Sequence, residues 1–228
     1  MAELPSVQAE LNAIVNDEQS KDEKGVIPGK RLLDAAFTQQ ALKDRLGKGY
    51  KAVHIASHFS FRPGDMTRSF LLLGDGTALT MAEFKRSPEL KFAGVELLVL
   101  SACQTAVGEP DANGKEIESF GVIAQQNGAK AVMATLWSVA DESTALLMAE
   151  FYRIKKETPA ITKSTALQRA QMNLMRGKYK SVEESKNRAE PFTSQGGNIT
   201  QPAFVPDPKA PYAHPFYWAP FILIGNWR

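Results

Sequence analysis

Residues 1–228 read as one α/β domain with a mostly parallel central sheet, helices on both of its faces and one small antiparallel hairpin. Three observations predict it. Short strand-like runs at 50–56, 96–101 and 129–136 alternate with helical patterns, the signature of strands joined by helical crossovers. The run ELLVLS (96–101) is apolar almost throughout, as a parallel strand covered on both faces requires. The run FLLLGDGTALT (70–80) places two short apolar arms around Gly74-Asp75-Gly76, a hairpin signal.

The elements follow in order. Leu4, Val7, Leu11, Ile14 and Val15 fall on one face of a short helix over 4–15. Residues 16–24 are charged and polar and read as an exposed connection. A helix over 38–46 stops at Gly47-Lys48-Gly49. The first strand spans 50–56, and Pro63-Gly64 marks a turn in the loop 60–69. Thr80 and Glu83 form a capping box that starts a helix after the hairpin. The second strand is 96–101, followed by a loop over 107–115. A helix over 119–127 ends at Gly128 in the left-handed cap position, and the third strand is 129–136. Helices are expected over 141–156 and 164–176. Residues 177–211 hold Gly196-Gly197, Pro202, Pro206, Pro208 and Pro211 and read as a long functional loop or insertion. An aromatic, apolar strand over 216–224 is the last element. No period of 20 to 50 residues recurs, so the chain is not a repeat array.

Composition removes several function classes. The chain has 228 residues and 43% hydrophobic content, enough for a core. The formal net charge is +2, which gives no electrostatic case for nucleic acid or an anionic membrane. No apolar run approaches the ~20 residues that span a bilayer, and the polar N-terminus is no signal peptide. A single cysteine excludes an internal disulfide and fits a reducing, cytoplasmic setting. The phosphate loop G-x-x-x-x-G-K-[ST] is absent, and Gly74-Asp75-Gly76 lacks the third glycine of a dinucleotide fingerprint. Asn198-Ile199-Thr200 matches a glycosylation acceptor by chance in such a setting. No cofactor is expected.

Function in open α/β sheets gathers beyond the carboxyl ends of the strands. The first strand runs into Ser57-His58 and the second into Ala102-Cys103. If those strands lie side by side and parallel, a base and a thiol emerge on one edge of the sheet. Cys103 follows His58 by 45 residues, from position 58 to position 103. A cysteine within Q-A-C-[RQG]-G, with a histidine about 50 residues upstream, is the caspase signature. Ala102-Cys103-Gln104 agrees with it, while Ser101 and Thr105 replace its Gln and Gly. A free thiol with pKa near ~8.5 is only slightly ionised at neutral pH, so an adjacent imidazole is what makes it reactive. The thiolate would attack a carbonyl carbon, and the backbone N–H groups of Cys103 and Phe59 would hold the oxyanion. His58 would then protonate the departing amine.

Each of these residues also has a plainer reading. A cysteine at a strand end is commonly a small buried hydrophobe, and His58 could be a satisfied histidine at a strand terminus. His54 and His58 form H-x-x-x-H, but the zinc protease motif needs a helix and a Glu after the first His. Ile55 follows here on a strand, so no metal is expected and His54 packs in the sheet. His214 before Pro215 reads as structural. Asp141 reads first as a helix N-cap and otherwise as a recognition group for a basic side chain of substrate. Trp137 is either core or a pocket wall.

The segments VHIASH (53–58), FLLLGDG (70–76), LSACQT (100–105), GAKAVMATLW (128–137) with Val139 and Asp141, and HPFYWAPFILIG (214–225) resemble the CHAT domain family. CHAT domains are relatives of caspases and separases, often fused to tetratricopeptide repeats. The resemblance runs from about Leu4 to Arg228. It implies a caspase-like three-layer α/β sandwich whose catalytic histidine falls on His58 and whose cysteine falls on Cys103. Family members commonly carry Gly after that histidine, where this chain has Phe59. The family also usually begins with further strands before Leu4, so this chain resembles the later part of such a domain with no repeat array attached.

The expected function is cleavage of protein or peptide substrates by a cysteine endopeptidase using a His58–Cys103 dyad. An inactive caspase-like scaffold that binds a partner protein is the alternative, and a small-molecule thiol hydrolase is a third. The loops 60–69, 107–115 and 177–211 flank the expected site. Low basal activity is therefore expected, raised by an activating protein or by the N-terminal region the family usually has.

Overall fold

In the computed structural model the described residues are 7–17, 25–60, 62, 64–101, 115–137, 141–180 and 206–228, with 115–120 and 141 described by backbone alone. The elements in chain order are α1 Val7–Ile14, β1 Val15–Asn16, β2 Ile27–Pro28, α2 Gln39–Leu46, β3 Ala52–Ala56, β4 Phe59–Ser60, β5 Phe70–Leu72 and β6 Ala78–Thr80. They continue with α3 Met81–Arg86, β7 Leu97–Ser101, α4 Lys115–Gln126, β8 Ala131–Thr135, α5 Asp141–Glu157, α6 Lys163–Met175 and β9 Phe221–Gly225.

The central sheet has the order β3-β7-β8-β9. β3, β7 and β8 are mutually parallel, and β9 runs antiparallel to β8. Every residue of β7 and β8 is buried, which explains their unbroken apolar character. Side chains alternate between two cores. Leu98, Leu100, Val132 and Ala134 point to one face, against Leu42 and Leu46 of α2, Phe84 of α3 and Ala124 of α4. Leu97, Val99, Ala131 and Met133 point to the other, against α1, α5 and α6. Helices thus cover both faces of a mostly parallel sheet.

Local signals set the boundaries. Thr38 caps α2 by accepting from Ala41 N–H, and the Thr80–Glu83 capping box forms reciprocally at α3. Gly128 adopts φ +105° after α4, where a Cβ would press on the backbone of Phe92 and Ala93. Gly74 is required by close approach, since a Cβ there would overlap the carbonyl of Asp34.

Three expectations are corrected. Residues 16 and 17 are not an exposed connection: Asn16 pairs with Pro28, and the buried Asp17 accepts from Arg31 N–H and Lys30 Nζ. The helix expected from residue 119 begins at Lys115. The last strand begins at Phe221 and not at 216, because Pro215 starts a single 3-10 turn over Pro215–Tyr217 and Pro220 offers no N–H to a ladder. The hairpin is present as β5–β6, and β4 adds a third antiparallel strand too short to be read from sequence. No helix among the described residues is long and apolar enough to cross a membrane.

Leu98 is fully buried at the centre of the parallel sheet, whereas Val122 on α4 is 41% exposed. Leu98→Ala is expected to cost about 2–5 kcal/mol and Val122→Ala less than about 0.5 kcal/mol. Urea unfolding checks this through a lower midpoint at unchanged slope for the first variant alone.

Candidate active site

β3 and β7 pair in parallel over five positions, from Ala52 with Leu97 to Ala56 with Ser101. His58 and Cys103 each come two residues after the last pair, Ala56 and Ser101. The strands that lead to them are therefore neighbours, parallel and level at their carboxyl ends. Cys103 itself lies outside the described residues, as do loop positions 107–114 and most of 177–211.

His58 is buried, at 6% exposure. Its carbonyl accepts Leu72 N–H at 2.9 Å, and Ser57 Oγ donates to the Leu72 carbonyl at 2.6 Å. These bonds stitch the exit of β3 to β5. Phe59 starts β4 opposite Leu71. Because His58 and Leu72 form the hydrogen-bonded pair, ladder alternation turns the Phe59 N–H to the side away from β5. Phe59 has no positive φ, so its strand backbone suits a residue other than Gly. Its ring packs on the core.

A cavity of about 640 Å³ opens beside His58, walled by Gln8 and Leu11 of α1, by Leu33 and Asp34, and by Leu72 and Gly74 of the hairpin. Asp34 holds the one positive φ, +46°, among described residues other than Gly. Its carbonyl approach to Gly74 closes that wall. Described residues of the loop following β4 brace one another: Asp65 accepts from Thr67 and Arg68, and Ser69 Oγ accepts Arg62 N–H. Those donors hold the Asp65 carboxyl well below the usual carboxylate range, the Thr67 hydroxyl being the largest contributor.

Trp137 lies two residues beyond β8, is half-buried and donates from Nε1 to the Phe216 carbonyl at 3.0 Å. It lines neither this cavity nor the one along β3 described below. Asp141 is the first residue of α5, where the helix dipole favours an anion. His214 accepts Phe216 N–H at 3.2 Å and caps the 3-10 turn. Among the described residues no group of three or more His, Cys, Asp or Glu could hold a metal ion.

His54 is more than sheet packing. Its Nε2 lies 2.9 Å from Glu10 Oε1 and 3.1 Å from Ser101 Oγ, and its Nδ1 lies 3.4 Å from the Tyr152 hydroxyl. Ser101 Oγ donates to Glu10 Oε2 at 3.1 Å. All four side chains are buried, on α1, β3, β7 and α5. Since the carboxylate accepts, Nε2 is the donor of that pair, and in a neutral ring Nδ1 is the atom that accepts from Tyr152. Burial, with the Glu10 charge adding to it, pushes the Tyr152 phenol far above its ordinary range and keeps it a donor. Sequence reading missed this cluster, although Glu10 carries a signal: it falls between Val7, Leu11 and Ile14 on the apolar stripe of α1.

A second cavity, of about 330 Å³, runs along the outer edge of β3. Residues 27–32 form its far wall, and Leu11 and Ile14 of α1 with Leu42 and Leu46 of α2 close it on either side. Among the described residues no strand pairs with that edge.

No curated protein matches this chain as a relative. The family profile described as CHAT domain matches residues 1–226. With nearly its whole length matched, the chain belongs to the CHAT domain family.

Proposed function

We propose that this chain is a cysteine endopeptidase with a caspase-like sandwich fold, in which His58 and Cys103 form the catalytic dyad. The observation that carries it is the register of β3 on β7, which ends the two parallel strands level at Ala56 and Ser101, two residues along the chain before His58 and Cys103. Membership of the CHAT domain family supports the same chemistry. The Cys103 thiolate attacks the scissile carbonyl carbon, and the N–H groups of Phe59 and Cys103 stabilise the tetrahedral oxyanion. The imidazolium of His58 protonates the leaving amine, which departs to leave a thioester. Water, deprotonated by His58, hydrolyses the thioester and releases the acid. The cavity beside His58 offers room for a substrate side chain.

A thiol-directed covalent peptide probe tests this. Labelling is expected in the wild type, absent in Cys103→Ala and strongly reduced in His58→Ala, with peptide turnover falling about 10³-fold or more in both variants. A stable complex with a protein and no labelling would establish the inactive scaffold instead.

Asp141 opens the helix that follows β8, the next parallel strand, and we propose it as the recognition group for a basic side chain, with Trp137 as a pocket wall, at a subsite separate from the cavity beside His58. Asp141→Asn is expected to lower turnover of peptides with Arg or Lys before the cut by about tenfold or more, and to spare neutral ones. Equal loss on all peptides, with a lower Tm, identifies a purely structural residue.

The outer edge of β3 supports a proposal about activation. Lys51 O accepts from Glu96 and Leu97 of the β7 side, so alternation sends the N–H and C=O of Ala52 and His54 into the slot. An added strand, such as the family carries before its first helix, would pair there. Basal activity of the isolated chain is expected to be low, and an N-terminally extended form to raise kcat more than it lowers KM. Full activity of the isolated chain, compared side by side with the extended form and with Cys103→Ala of each, would refute this.

A further inference from the structure

The cluster of Glu10, His54, Ser101 and Tyr152 uses residue types found in catalytic triads, but its geometry is different. In a Ser-His-acid relay the serine and the acid sit on opposite nitrogens of the imidazole. Here both Ser101 and Glu10 lie on Nε2, and Ser101 also bonds directly to Glu10. Ser101 is only 2% exposed and Glu10 4%, so neither meets a substrate. The cluster does something else: it joins the end of β7 to β3, to α1 and to α5 at one buried point.

That point is close to the proposed nucleophile. Cys103 is two residues beyond Ser101, and two residues of extended chain reach at most about 7 Å. On the other strand His54 lies four residues before His58, so the same imidazole that grips Ser101 belongs to the strand that delivers the proposed base. We propose that Glu10, His54 and Ser101 are positioning residues that lock the exits of β3 and β7 to each other and so set the distance between His58 and Cys103. Glu10 makes α1 part of that lock, since its two carboxylate oxygens hold one strand each. Tyr152 braces the imidazole from α5 at its other nitrogen. The inference rests on the dyad reading above.

The test uses the intact chain, in which Cys103 is the sole cysteine. Its alkylation by iodoacetamide is followed from acid to mildly alkaline pH, which reads thiolate formation without any substrate, and kcat and KM are measured on a cleavable peptide. The wild type is expected to reach half-maximal alkylation below the ordinary thiol value of ~8.5. Ser101→Ala and Glu10→Gln are expected to move that midpoint back toward the ordinary value and to lower kcat about tenfold at unchanged KM. Ser101→Thr keeps the hydroxyl and is expected to restore the wild-type profile, which a simple loss of stability would not explain. Should Glu10→Gln fail to fold, Ser101→Ala decides alone, because it leaves the Glu10–His54 pair in place. A wild-type midpoint and kcat in Ser101→Ala, with the shift abolished by His58→Ala, overturns the positioning role and leaves the dyad standing. An ordinary midpoint in the wild type that His58→Ala does not change overturns the dyad, and the positioning role with it.

Discussion

The parallel ladder between β3 and β7 is the constraint on which the rest of the molecule depends. Five consecutive residue pairs fix both the lateral spacing and the lengthwise register of the two strands. A one-residue slip would turn every side chain of one strand to the wrong face. It would bring Leu98 and Leu100 into the core that α5 and α6 share with the sheet, and would take Val99 out of it. The apolar patterning of β7 forbids this, since both of its faces are buried and each is filled by different helices. What lies beyond the strand ends inherits the register: the stitching of Ser57 and His58 to Leu72 and the entry into β4 both follow from where β3 stops.

The polar cluster at the end of that ladder is a costly way to fill a core. Removing a carboxylate and an imidazole from water carries a penalty that their mutual attraction offsets only when the remaining lone pairs and protons are also satisfied. Here they are satisfied by Ser101 and Tyr152, from two further elements. Apolar residues at the same places would pack without a preferred partner. The hydrogen-bonded arrangement admits one relative placement of α1, β3, β7 and α5, which an apolar contact would not specify.

Much of this was legible in the sequence because it rests on local chemistry. The capping box of Thr80 and Glu83, the Gly128 stop and the fully apolar run of β7 each announce their structure within a few residues. The level exits of β3 and β7 were readable as a conditional, since helical crossovers favour parallel neighbours. The failures have physical causes too. β4 is two residues long and exists only because β5 offers it a ladder. Asp17 looked solvated because its partners, the Arg31 amide and Lys30, lie beyond a connection whose path composition does not reveal. Glu10 and His54 meet across 44 residues of chain, and only folding brings them together. Phe59 was read against a family that places Gly there, and an extended backbone is what lets the larger side chain stand.

β9 gives the molecule a particular order of assembly during synthesis. It lines the edge of β8 in antiparallel fashion over five residue pairs, yet it is translated after α5, α6 and everything between them and residue 221. Until it leaves the ribosome, β8 presents a row of unpaired backbone groups on a strand of Val132, Met133 and Ala134, a template for pairing with another nascent chain. Lys163 Nζ, bound to the carbonyls of Asn226 and Arg228, fastens the strand once it has arrived. A polysome making this protein therefore carries many chains with an open, sticky edge. Slowing elongation between β8 and β9 lengthens the time each one stays vulnerable to co-aggregation.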